Sequence, residues 1–390
     1  MAAEPYDVVI IGGAIMGASI GWFLTQNPDF DGTIAIVERD STFQYASTTL
    51  SAASIRQQFS TPENIALSRF GLSFLKGMPD HFGPDADIGL VAGGYLILAS
   101  EDGENTLRSN YAVQQQNGAD ILWLSANELG QKFPWLNLDD LCAGTLGQTG
   151  EGWFDAHLLL STLRKALKSQ PSVTLIDGEV DGFKQANNRV TDVTLTDGQT
   201  LSAGHIVNAA GPQAGRLCQT LGIDLPVEPR KRCVFYQECP DTVPGLPLLC
   251  DPSGFYVRPE GKGFICGMPP AHDPAADHDF TVDYPLFETE LWPRLAHRIP
   301  TFERLRQTGA WAGHYDYNAF DQNAVLGSHP ELQNFMFANG FSGHGLQHGP
   351  GVGRALAELI VYGHYQSIDL SLFAFDRLLE NRPVIEQNVI

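Results

Sequence analysis

Apolar runs and helical spacing follow one another at the start of the chain. Tyr6 to Ile11 is a β-branched run, apolar apart from Asp7, that ends at two glycines, which predicts a buried parallel strand. Ala14 to Gln26 has the apolar spacing of a helix, and Thr33 to Val37 is a second apolar run that ends at Glu38. Strand, glycine turn, helix, strand and acid in this order predict a βαβ unit of the dinucleotide-binding type.

Similar elements follow in the middle and at the end of the chain. Asp155 to Lys168 predicts an amphipathic helix, and the segment 173–201 predicts short strands with Asp-Gly turns at 177–178 and 197–198. Gly204 to Gly211 predicts another strand. The tail contains a strand beginning at Phe335, a glycine loop at 340–345, and a helix from about Gly351 to Gly363.

A second kind of pattern lies between these pieces. Gly94 to Ala99, Arg232 to Gln237 and Gly254 to Gly267 alternate aromatic and aliphatic residues, which favours an antiparallel sheet. We therefore expect an α/β (α+β) fold in which a Rossmann-like domain is interleaved with an antiparallel-sheet substrate domain. The predicted ranges are 1–90, 147–225 and 318–390 for the first domain, and 91–146 and 226–317 for the second.

Two stretches contain acids and no Lys or Arg. Gly77 to Leu107 and Gly263 to Pro293 carry six acidic residues each, and we expect them to form solvated loop surface. The whole chain has Lys+Arg 24 against Asp+Glu 45, a formal net charge of −21. Because this charge repels phosphate backbones, nucleic acid is not expected as a partner.

Cysteine usage and the N-terminus bear on compartment. The 6 cysteines are widely spaced, without C-x-x-C or zinc-ligand spacing, so we predict free thiols, a reducing compartment and no metal site. Val8 to Pro28 has no charged residue and is long enough to span a bilayer. Its flanks lack a positive n-region and a cleavage site, and the run contains four glycines, so we expect neither signal peptide nor anchor and a cytoplasmic protein.

The first glycine loop departs from G-x-G-x-x-G because Ala14 occupies the middle position. Gly12 permits the turn, Gly17 lets the helix pack on the strand, and the helix N-terminus offers N–H groups to phosphate. The methyl group of Ala14 is tolerated provided that the backbone there does not need a positive φ. Glu38 is placed to bind ribose hydroxyls and would repel a 2′-phosphate, which disfavours NADP; the alternative is a solvated Glu at a strand end.

Five segments resemble a known family. They are VVIIGGAIMG near the N-terminus, Glu38-Arg39, Ser47 to Ser60 (STTLSAASIRQQFS), Ile206 to Gly211 (IVNAAG) and Gly340 to Gly345 (GFSGHG). Over nearly its whole length the chain resembles the D-amino acid oxidase superfamily of FAD enzymes, in its sarcosine oxidase, glycine oxidase and dimethylglycine dehydrogenase-like branch. Tyr315 to Asn323 (YDYNAFDQN) resembles a subgroup that includes a mitochondrial complex I assembly oxidoreductase.

The resemblance implies FAD as the cofactor. Small polar residues from Ser47 onward would pass the pyrophosphate and ribityl chain, and a helix N-terminus after Gly340 would stabilise negative charge on the reduced flavin. Their alternatives are an ordinary Ser/Ala-rich loop and a glycine turn. The cofactor-binding positions are then Gly12, Ala14, Ile15, Met16, Gly17, Glu38, Arg39, Ser47, Thr48, Thr49, Ala52, Ala53, Ser54, Val180, Ala210, Gly211, Gly313, Gly340, Phe341, Ser342, Gly343, His344, Gly345, Leu346 and Gln347.

The resemblance also bears on covalent attachment of the flavin. Sarcosine oxidase-like enzymes attach FAD through a Cys in the region matching Gly313 to Tyr315, and dimethylglycine dehydrogenase-like enzymes through a His in the region of Thr48 to Ser51. Neither residue is present here. We therefore expect non-covalent FAD, with His314 as the one nearby residue that would alter this expectation.

The resemblance implies a small amino acid bound over the flavin, with four candidate catalytic residues. Arg56 would grip a carboxylate; the alternative is a structural Arg paired to phosphate or to a loop acid. Of Tyr256 and Arg258 we expect only one, Tyr256, to face the ligand. His344 would hold the deprotonated amine or polarise water, unless it only bonds backbone, and Gln347 occupies the place of a carboxylate-binding Lys, which weakens the case for sarcosine.

The residue at position 265 bears on which electron acceptor the protein uses. Ile265 stands where oxidases of this branch carry a Lys that activates oxygen, so we expect a dehydrogenase or a slow oxidase. The predicted reaction is hydride transfer from the Cα–H of a small amino acid or of a secondary or N-methyl amine to flavin N5, giving an imine. The acceptor is left open among quinone, electron-transfer protein and oxygen.

Other functions remain open at this stage. They are a peroxide-forming oxidase of glycine or sarcosine type, a 2-hydroxy acid dehydrogenase, an NAD-linked dehydrogenase, and an assembly factor that keeps FAD for stability. The sequence does not fix the oligomeric state.

Overall fold

The computed structural model of the chain describes residues 5–387. The expectation about a signal peptide rests in part on residues 1–4, which lie outside this range. Within residues 5–387 there are eighteen strands: β1 (Tyr6–Ile11), β2 (Ile34–Glu38), β3 (Ser54–Ile55), β4 (Tyr95–Ala99), β5 (Ile121–Ser125), β6 (Ala143–Gly147), β7 (Gly152–Trp153), β8 (Val173–Asp177), β9 (Val180–Ala186), β10 (Arg189–Leu195), β11 (Thr200–Asn208), β12 (Val227–Glu238), β13 (Leu248–Cys250), β14 (Tyr256–Glu260), β15 (Gly263–Gly267), β16 (Arg306–Asn318), β17 (Val325–Ser328) and β18 (Phe335–Asn339).

Eleven α-helices accompany them in the same described range: α1 (Ile15–Gln26), α2 (Pro62–Lys76), α3 (Met78–Phe82), α4 (Glu104–Gln116), α5 (Ala126–Lys132), α6 (Ala156–Lys168), α7 (Ala214–Gln219), α8 (Tyr284–Leu286), α9 (Trp292–Arg298), α10 (Gly345–Tyr362) and α11 (Asp376–Leu379). The predicted βαβ unit is confirmed as β1, α1 and β2. The predicted amphipathic helix is confirmed as α6, and the carboxylate of Asp155 caps it by accepting from the Leu158 N–H at 2.9 Å.

The first sheet is a Rossmann-like parallel sheet. Its strand order is β17-β18-β11-β1-β2-β8, with β18, β11, β1, β2 and β8 parallel. Successive side chains of β1 point to opposite faces of the sheet, and both faces are covered. Val8 and Ile10 point to the layer of α1, α6 and α10, whereas Val9 and Ile11 point to the antiparallel meander of β9, β10 and the first part of β11. The part of β1 that is buried on both faces, Val8 to Ile11, is apolar throughout, and Asp7 lies at the exposed start of the strand.

The second sheet has eight strands and is mostly antiparallel. Its order is β16-β12-β15-β14-β13-β4-β6-β5, and only the β13–β4 pair is parallel. One face carries a core that includes Leu96, Phe235, Val257 and Phe302. The expected α/β (α+β) fold, in which a Rossmann-like sheet is interleaved in sequence with an antiparallel sheet, is therefore confirmed.

The last long helix begins earlier than the sequence predicted. It starts at Gly345 instead of about Gly351, and it ends as predicted, with Gly363 in the left-handed conformation at its C-cap. Glycines and Pro350 in the first two turns lower the helix propensity there. Close packing on α1 overrides it, since a Cβ at Gly353 would lie 2.5 Å from the Cβ of Ser19.

The expectation that both acid-only stretches are solvated loop surface is wrong in part. The first stretch contains the buried strand β4, and the second begins with the buried strand β15. Asp273 forms a bidentate ion pair with Arg232 at 2.7 and 2.8 Å, and Asp279 pairs with Lys231. These acids fasten the loop after β15 onto β12.

The apolar run 8–28 is divided between β1 and α1 and does not form one span. None of the helices within residues 5–387 has both the length and the apolarity needed to cross a bilayer.

Candidate functional site

A cavity of about 980 Å³ runs from the carboxyl ends of β1 and β2 to the second sheet. Ile11 and Val37 mark its start, and residues of β12, β14 and β16 form the opposite wall. Ligands of open parallel sheets bind outside the carboxyl ends of the strands, so this cavity is where the fold predicts a binding site.

The N-terminus of α1 faces the first part of the cavity. Gly12 has φ +98°, and its carbonyl oxygen would lie 1.9 Å from a Cβ at Gly17, so both glycines are required for the tight turn. Ala14 has φ −73°, which meets the condition under which its methyl group is tolerated. Among the described residues, the N–H of Met16 has no acceptor in the chain and remains available for an anion.

Glu38 closes this end of the cavity. One oxygen of its carboxylate accepts from the Gly13 N–H at 2.8 Å, and the other accepts from the Asp40 N–H at 3.0 Å. A carboxylate has about four acceptor positions, so further positions remain for ribose hydroxyls. Neighbouring Arg39 lies 3.8 Å from Glu179 in an exposed ion pair across the cavity mouth.

The segment after Ser47 forms the middle of the wall. The hydroxyl of Ser47 donates to the carbonyl of His314 at 2.6 Å, and Thr48 accepts from the Ile15 N–H at 3.3 Å. These bonds join the segment to both β16 and α1. Thr49 instead donates to the carbonyl of Ala46 at 3.0 Å, and Ala53, with φ +50°, packs in the core.

The loop between β18 and α10 forms the far end. The buried carboxylate of Asp316 accepts from the N–H groups of Gly340 and Phe341 at 3.0 and 3.1 Å, and burial raises its pKa to about 6. Gly343 has φ +103°, and a Cβ there would lie 2.6 Å from the ring of Tyr315. The N–H groups of Gly345 and Leu346, in the first turn of α10, have no acceptor among the described residues.

Arg56 is a buried cation in the wall beside this loop. Its NH1 group donates to the Gln58 carbonyl at 2.9 Å, its NH2 group lies 3.1 Å from Nε2 of His344, and its guanidinium lies 4.4 Å from the ring centre of Phe59. Within residues 5–387 no carboxylate lies within ion-pair distance of it, so the alternative of a structural Arg paired to a loop acid is not what the structure shows.

His344 is the acceptor in its contact with Arg56. A guanidinium has only donors, so Nε2 must carry a lone pair and the proton of the ring must be on Nδ1. Burial, the charge of Arg56 and neighbouring His348 hold the pKa of His344 well below its ordinary value. Gln347 binds the same residue from the next turn, since its side-chain oxygen accepts from the Arg56 backbone N–H at 2.8 Å.

Glu151 lies behind Arg56, away from the cavity wall. Its carboxylate accepts from the Gln57 N–H and, at 2.7 Å, from the side-chain amide of Gln58. Burial raises its pKa to about 7 in spite of these bonds and of the charge of Arg56.

Tyrosines form the remaining wall near Arg56. Tyr95, Tyr256 and Tyr315 line the cavity, and burial raises the pKa of each hydroxyl. Tyr256 and Arg258 are two residues apart on β14 and therefore share a face, so the premise that only one could point to this side is wrong. Arg258 is nevertheless not in the wall, because it donates to the Ala52 carbonyl at 2.7 and 3.0 Å.

Most of the predicted positions come together around this cavity. Gly17, Thr49, Ala53 and Gly340 stand behind the wall, where they shape its loops. The predicted residues in the wall are Gly12, Ala14, Ile15, Met16, Glu38, Arg39, Ser47, Thr48, Ala52, Ser54, Arg56, Val180, Ala210, Gly211, Tyr256, Gly313, Phe341, Ser342, Gly343, His344, Gly345, Leu346 and Gln347.

Sequence reasoning missed several wall residues. Tyr95 comes from a strand that was predicted only as sheet, and Tyr315 and Asp316 belong to the segment YDYNAFDQN, which served only as a subgroup signature. Aromatic and acidic residues packed together in that segment were the available signal. Ile265 is buried in β15 outside the wall, and no lysine lines the cavity within the described residues.

Comparisons with known proteins agree with this geometry. The family model for FAD dependent oxidoreductases matches residues 7–359. FAD-dependent oxidoreductase domain-containing protein 1 of Xenopus laevis is 41% identical, over 99% of this chain and 85% of that protein. Glycine oxidase of Geobacillus kaustophilus is 27% identical, over 95% of this chain and 97% of that protein. The solved structure of L-proline dehydrogenase from P. horikoshii superimposes with a TM-score of 0.86 at 25% identity and covers 98% of this chain and 100% of that one.

The cavity fits a dinucleotide that ends in a flavin. It offers unpaired N–H groups at two helix N-termini, a carboxylate at the ribose end and a long wall of small residues between them. Cofactor and family therefore agree: the chain belongs to the family of FAD-dependent oxidoreductases that includes the D-amino acid oxidases, and FAD is its cofactor.

Proposed function

We propose that the protein oxidises a small amino acid, or a secondary or N-methyl amine, to the imine, and that it acts as a dehydrogenase. The observation that carries the proposal is Arg56, a buried guanidinium in the cavity wall without a carboxylate partner among the described residues. Burying a cation without an anion is costly, and a substrate carboxylate would complete the site.

Arg56 has donors left for this role. Of its five N–H groups, one is used by the Gln58 carbonyl and one by Nε2 of His344. Three remain, enough for a bidentate pair with a carboxylate. His344 and Gln347 fix the side chain and the backbone of Arg56, so its position depends on the first turns of α10, the same element that faces the cofactor.

His344 is better suited to position Arg56 than to act as a base. While Nε2 accepts from Arg56, the ring carries its proton on Nδ1 and can only donate there. A substrate that enters as the neutral amine needs no base at this point: the Cα–H bond breaks, the hydride leaves, and the nitrogen lone pair closes the C=N bond to give the protonated imine, whose N–H proton is then lost to water. Bound FAD supplies the acceptor for that hydride.

The tyrosine wall favours a substrate with an apolar side. Tyr95, Tyr256 and Tyr315 surround the space beside Arg56, and their raised pKa values keep them as neutral phenols. The P. horikoshii relative is named for L-proline, whose nitrogen is a secondary amine. This name and the aromatic wall favour a secondary amine over a primary one.

Two further parts of the proposal concern the cofactor and oxygen. We expect FAD to be held without a covalent bond, since Nε2 of His314 is engaged with the Asp279 carbonyl at 2.7 Å. We expect slow reaction with oxygen because no lysine lines the cavity among the described residues, so the charge of the superoxide-like transition state lacks that stabilisation.

The test is an anaerobic screen of the FAD-loaded protein with N-methyl, secondary and D-amino acids. Loss of the visible flavin absorbance with at least one secondary or N-methyl amino acid is expected, followed by slow reoxidation in air. Reoxidation in air as fast as in a true oxidase would make it a peroxide-forming enzyme, as the name of the glycine oxidase relative suggests. If none of these compounds bleaches a flavin that light reduces readily, the proposed substrate class is wrong, and the alternative of an assembly factor that keeps FAD for stability is favoured.

A further inference from the structure

A buried carboxyl group, that of Glu151, is joined by hydrogen bonds to the segment that carries Arg56. Glu151 is 2% exposed, and it accepts from the Gln57 N–H and, at 2.7 Å, from the side-chain amide of Gln58. The carbonyl of Gln58 in turn accepts from Arg56 at 2.9 Å. We refer to Glu151, Gln57 and Gln58 as the carboxyl network. Arg56 lines the cavity and the carboxyl network does not, so the network supports Arg56 from behind the wall.

The strand and the loop before β7 make room for the carboxyl network. A Cβ at Gly147 would lie 2.0 Å from Oε2 of Glu151, and a Cβ at Gly150 would lie 2.2 Å from the side-chain nitrogen of Gln57. That nitrogen donates to the carbonyl of Gly150 at 3.2 Å. A side chain at either glycine would displace the network, so the carboxyl group has a built place next to Arg56.

Glu151 and Arg56 carry opposite charges only when the carboxyl group is ionised. Burial raises the pKa of Glu151 to about 7, in spite of its hydrogen bonds and of the charge of Arg56. Below this pH the guanidinium is the only charge of the pair, and a carboxylate ligand balances it. Above this pH Glu151 already balances it, and a carboxylate ligand would add a second negative charge to the buried pair.

We propose that Glu151 is a positioning residue that couples carboxylate binding at Arg56 to the uptake of a proton. The neutral carboxyl group holds segment 56–58 and leaves the charge of Arg56 to the ligand. The proton comes from solvent and returns to it when the ligand leaves. Because linkage is reciprocal, a ligand that favours protonated Glu151 binds more tightly when Glu151 is protonated. The inference rests on the proposed function, since it takes Arg56 as the site of the substrate carboxylate.

The other buried titratable groups around Glu151 and Arg56 stay uncharged near neutral pH. They are Tyr95 on β4, Cys250 on β13, and His344 and His348 on α10. Burial raises the pKa of the Tyr95 hydroxyl and raises that of the Cys250 thiol to about 11. Burial and the charge of Arg56 lower the pKa of both histidines, that of His348 to about 3. Of these buried groups and Glu151, it is therefore Glu151 that changes charge near pH 7.

Three charged residues lie outside this buried set. At the surface, Lys76 of α2 donates to the carbonyl of Thr149 at 3.5 Å, and Asp120 accepts from the Thr149 hydroxyl. Asp316 is a buried carboxyl group in the cavity wall, and burial raises its pKa to about 6. Because Asp316 titrates close to the same pH range, the experiment has to separate it from Glu151.

The experiment measures binding of tetrahydrofuran-2-carboxylate to the oxidised, FAD-loaded protein from pH 6 to pH 9 by isothermal titration calorimetry. This ligand is proline with an ether oxygen in place of the amine, so it does not titrate in that range. Its primary amide, of similar shape and without charge, is the reference ligand. If the bound carboxylate raises the pKa of Glu151 by about one unit, its Kd should rise about tenfold from pH 6 to pH 9. The Kd of the amide should stay constant.

Two variants assign the proton. Glu151→Gln keeps the size of the side chain and removes its titration, so the Kd of the carboxylate should be the same at pH 6 and pH 9. The matched control is Asp316→Asn, which removes a different buried carboxyl group with a raised pKa. It should keep the tenfold rise.

A second measurement needs no variant and stays decisive if Glu151→Gln does not fold. Titrations at pH 7.5 in HEPES and in Tris, two buffers of different ionisation enthalpy, should show uptake of about half a proton with the carboxylate and none with the amide. A carboxylate that binds more tightly than the amide at every pH, with a constant Kd and no proton uptake, would overturn the inference and leave Arg56 as the carboxylate site. Equal Kd values for carboxylate and amide at pH 6 would refute both. A rise that persists in Glu151→Gln and disappears in Asp316→Asn would assign the proton to Asp316, against the inference.

Discussion

Replacing Arg56 by Met removes the guanidinium that we propose to hold the substrate carboxylate. The side chain is of similar length and stays apolar between Phe59 and Tyr95, so the wall should keep its shape. Two charged hydrogen bonds to a carboxylate would be lost, each worth roughly 1.5–3 kcal/mol. Taking the low end for both gives about 3 kcal/mol, which corresponds to about a 100-fold rise in the Kd of a carboxylate ligand.

The assay mixes the oxidised, FAD-loaded protein anaerobically with proline or with pyrrolidine, which differ only in the carboxylate, and obtains each Kd from the saturation of the flavin reduction rate with substrate concentration. Arg56→Met should raise the Kd of proline about 100-fold and change that of pyrrolidine little. Arg56→Lys keeps the charge but not the fork geometry, so its effect on proline should be intermediate.

Two results would refute the reasoning about Arg56. The first is an equal loss of affinity for proline and pyrrolidine, which would mean that the substitution damages the cavity as a whole. The second is an unchanged Kd for proline together with weaker FAD binding, which would assign Arg56 to the cofactor. A comparison of FAD affinity in wild-type and variant apoproteins separates these outcomes.

The remaining predictions concern the cofactor loop, pH and the C-terminal segment. Gly17→Ala should abolish FAD retention, measured by the absorbance ratio after gel filtration, because its Cβ would overlap the Gly12 oxygen; Gly309→Ala, whose Cβ would have 3.5 Å to its nearest neighbour, should retain FAD. Glu151 has a pKa raised from 4.5 to about 7, so its contribution to stability is present below pH 4.5 and is lost as the pH rises to about 7. Urea unfolding should then show that the free energy of unfolding of Glu151→Gln, relative to that of the wild type, rises by on the order of 3 kcal/mol between pH 4.5 and 7.5. A difference in unfolding free energy that is independent of pH would contradict the raised pKa of Glu151. Arg377→Met should lower the free energy of unfolding by roughly 3–5 kcal/mol, since it leaves the buried carboxylate of Asp321 without its partner at 2.8 Å.

Local patterns predicted the elements whose environment is uniform along the chain. Val8 to Ile11 of β1 are all apolar because both faces of the strand are covered there, and α6 is amphipathic because only one of its faces is covered. The start of α10 was misplaced because its glycines and Pro350 serve packing against α1, and such a contact between segments more than 300 residues apart has no local signal.

In the candidate site, too, residues with a local sequence signal were predicted and contacts between distant segments were not. Gly12 and Glu38 belong to a motif that is recognised by the spacing of its residues, so the sequence alone was enough to locate them. The contact of Arg56 with His344 joins positions 288 residues apart and depends on where α10 begins, and the burial of Glu151 behind Arg56 depends on the loop before β7. Neither can be inferred from residue types without the fold.

The packing of α10 on α1 has a consequence for how the protein is made. The wall of the FAD cavity includes residues from Ile11 to Gln347, so the chain must leave the ribosome at least as far as Gln347 before the site can close. Until then the face of α1 that α10 will cover, including Ile15 and Ser19, has no partner and remains exposed. Cofactor loading therefore follows the synthesis and docking of α10.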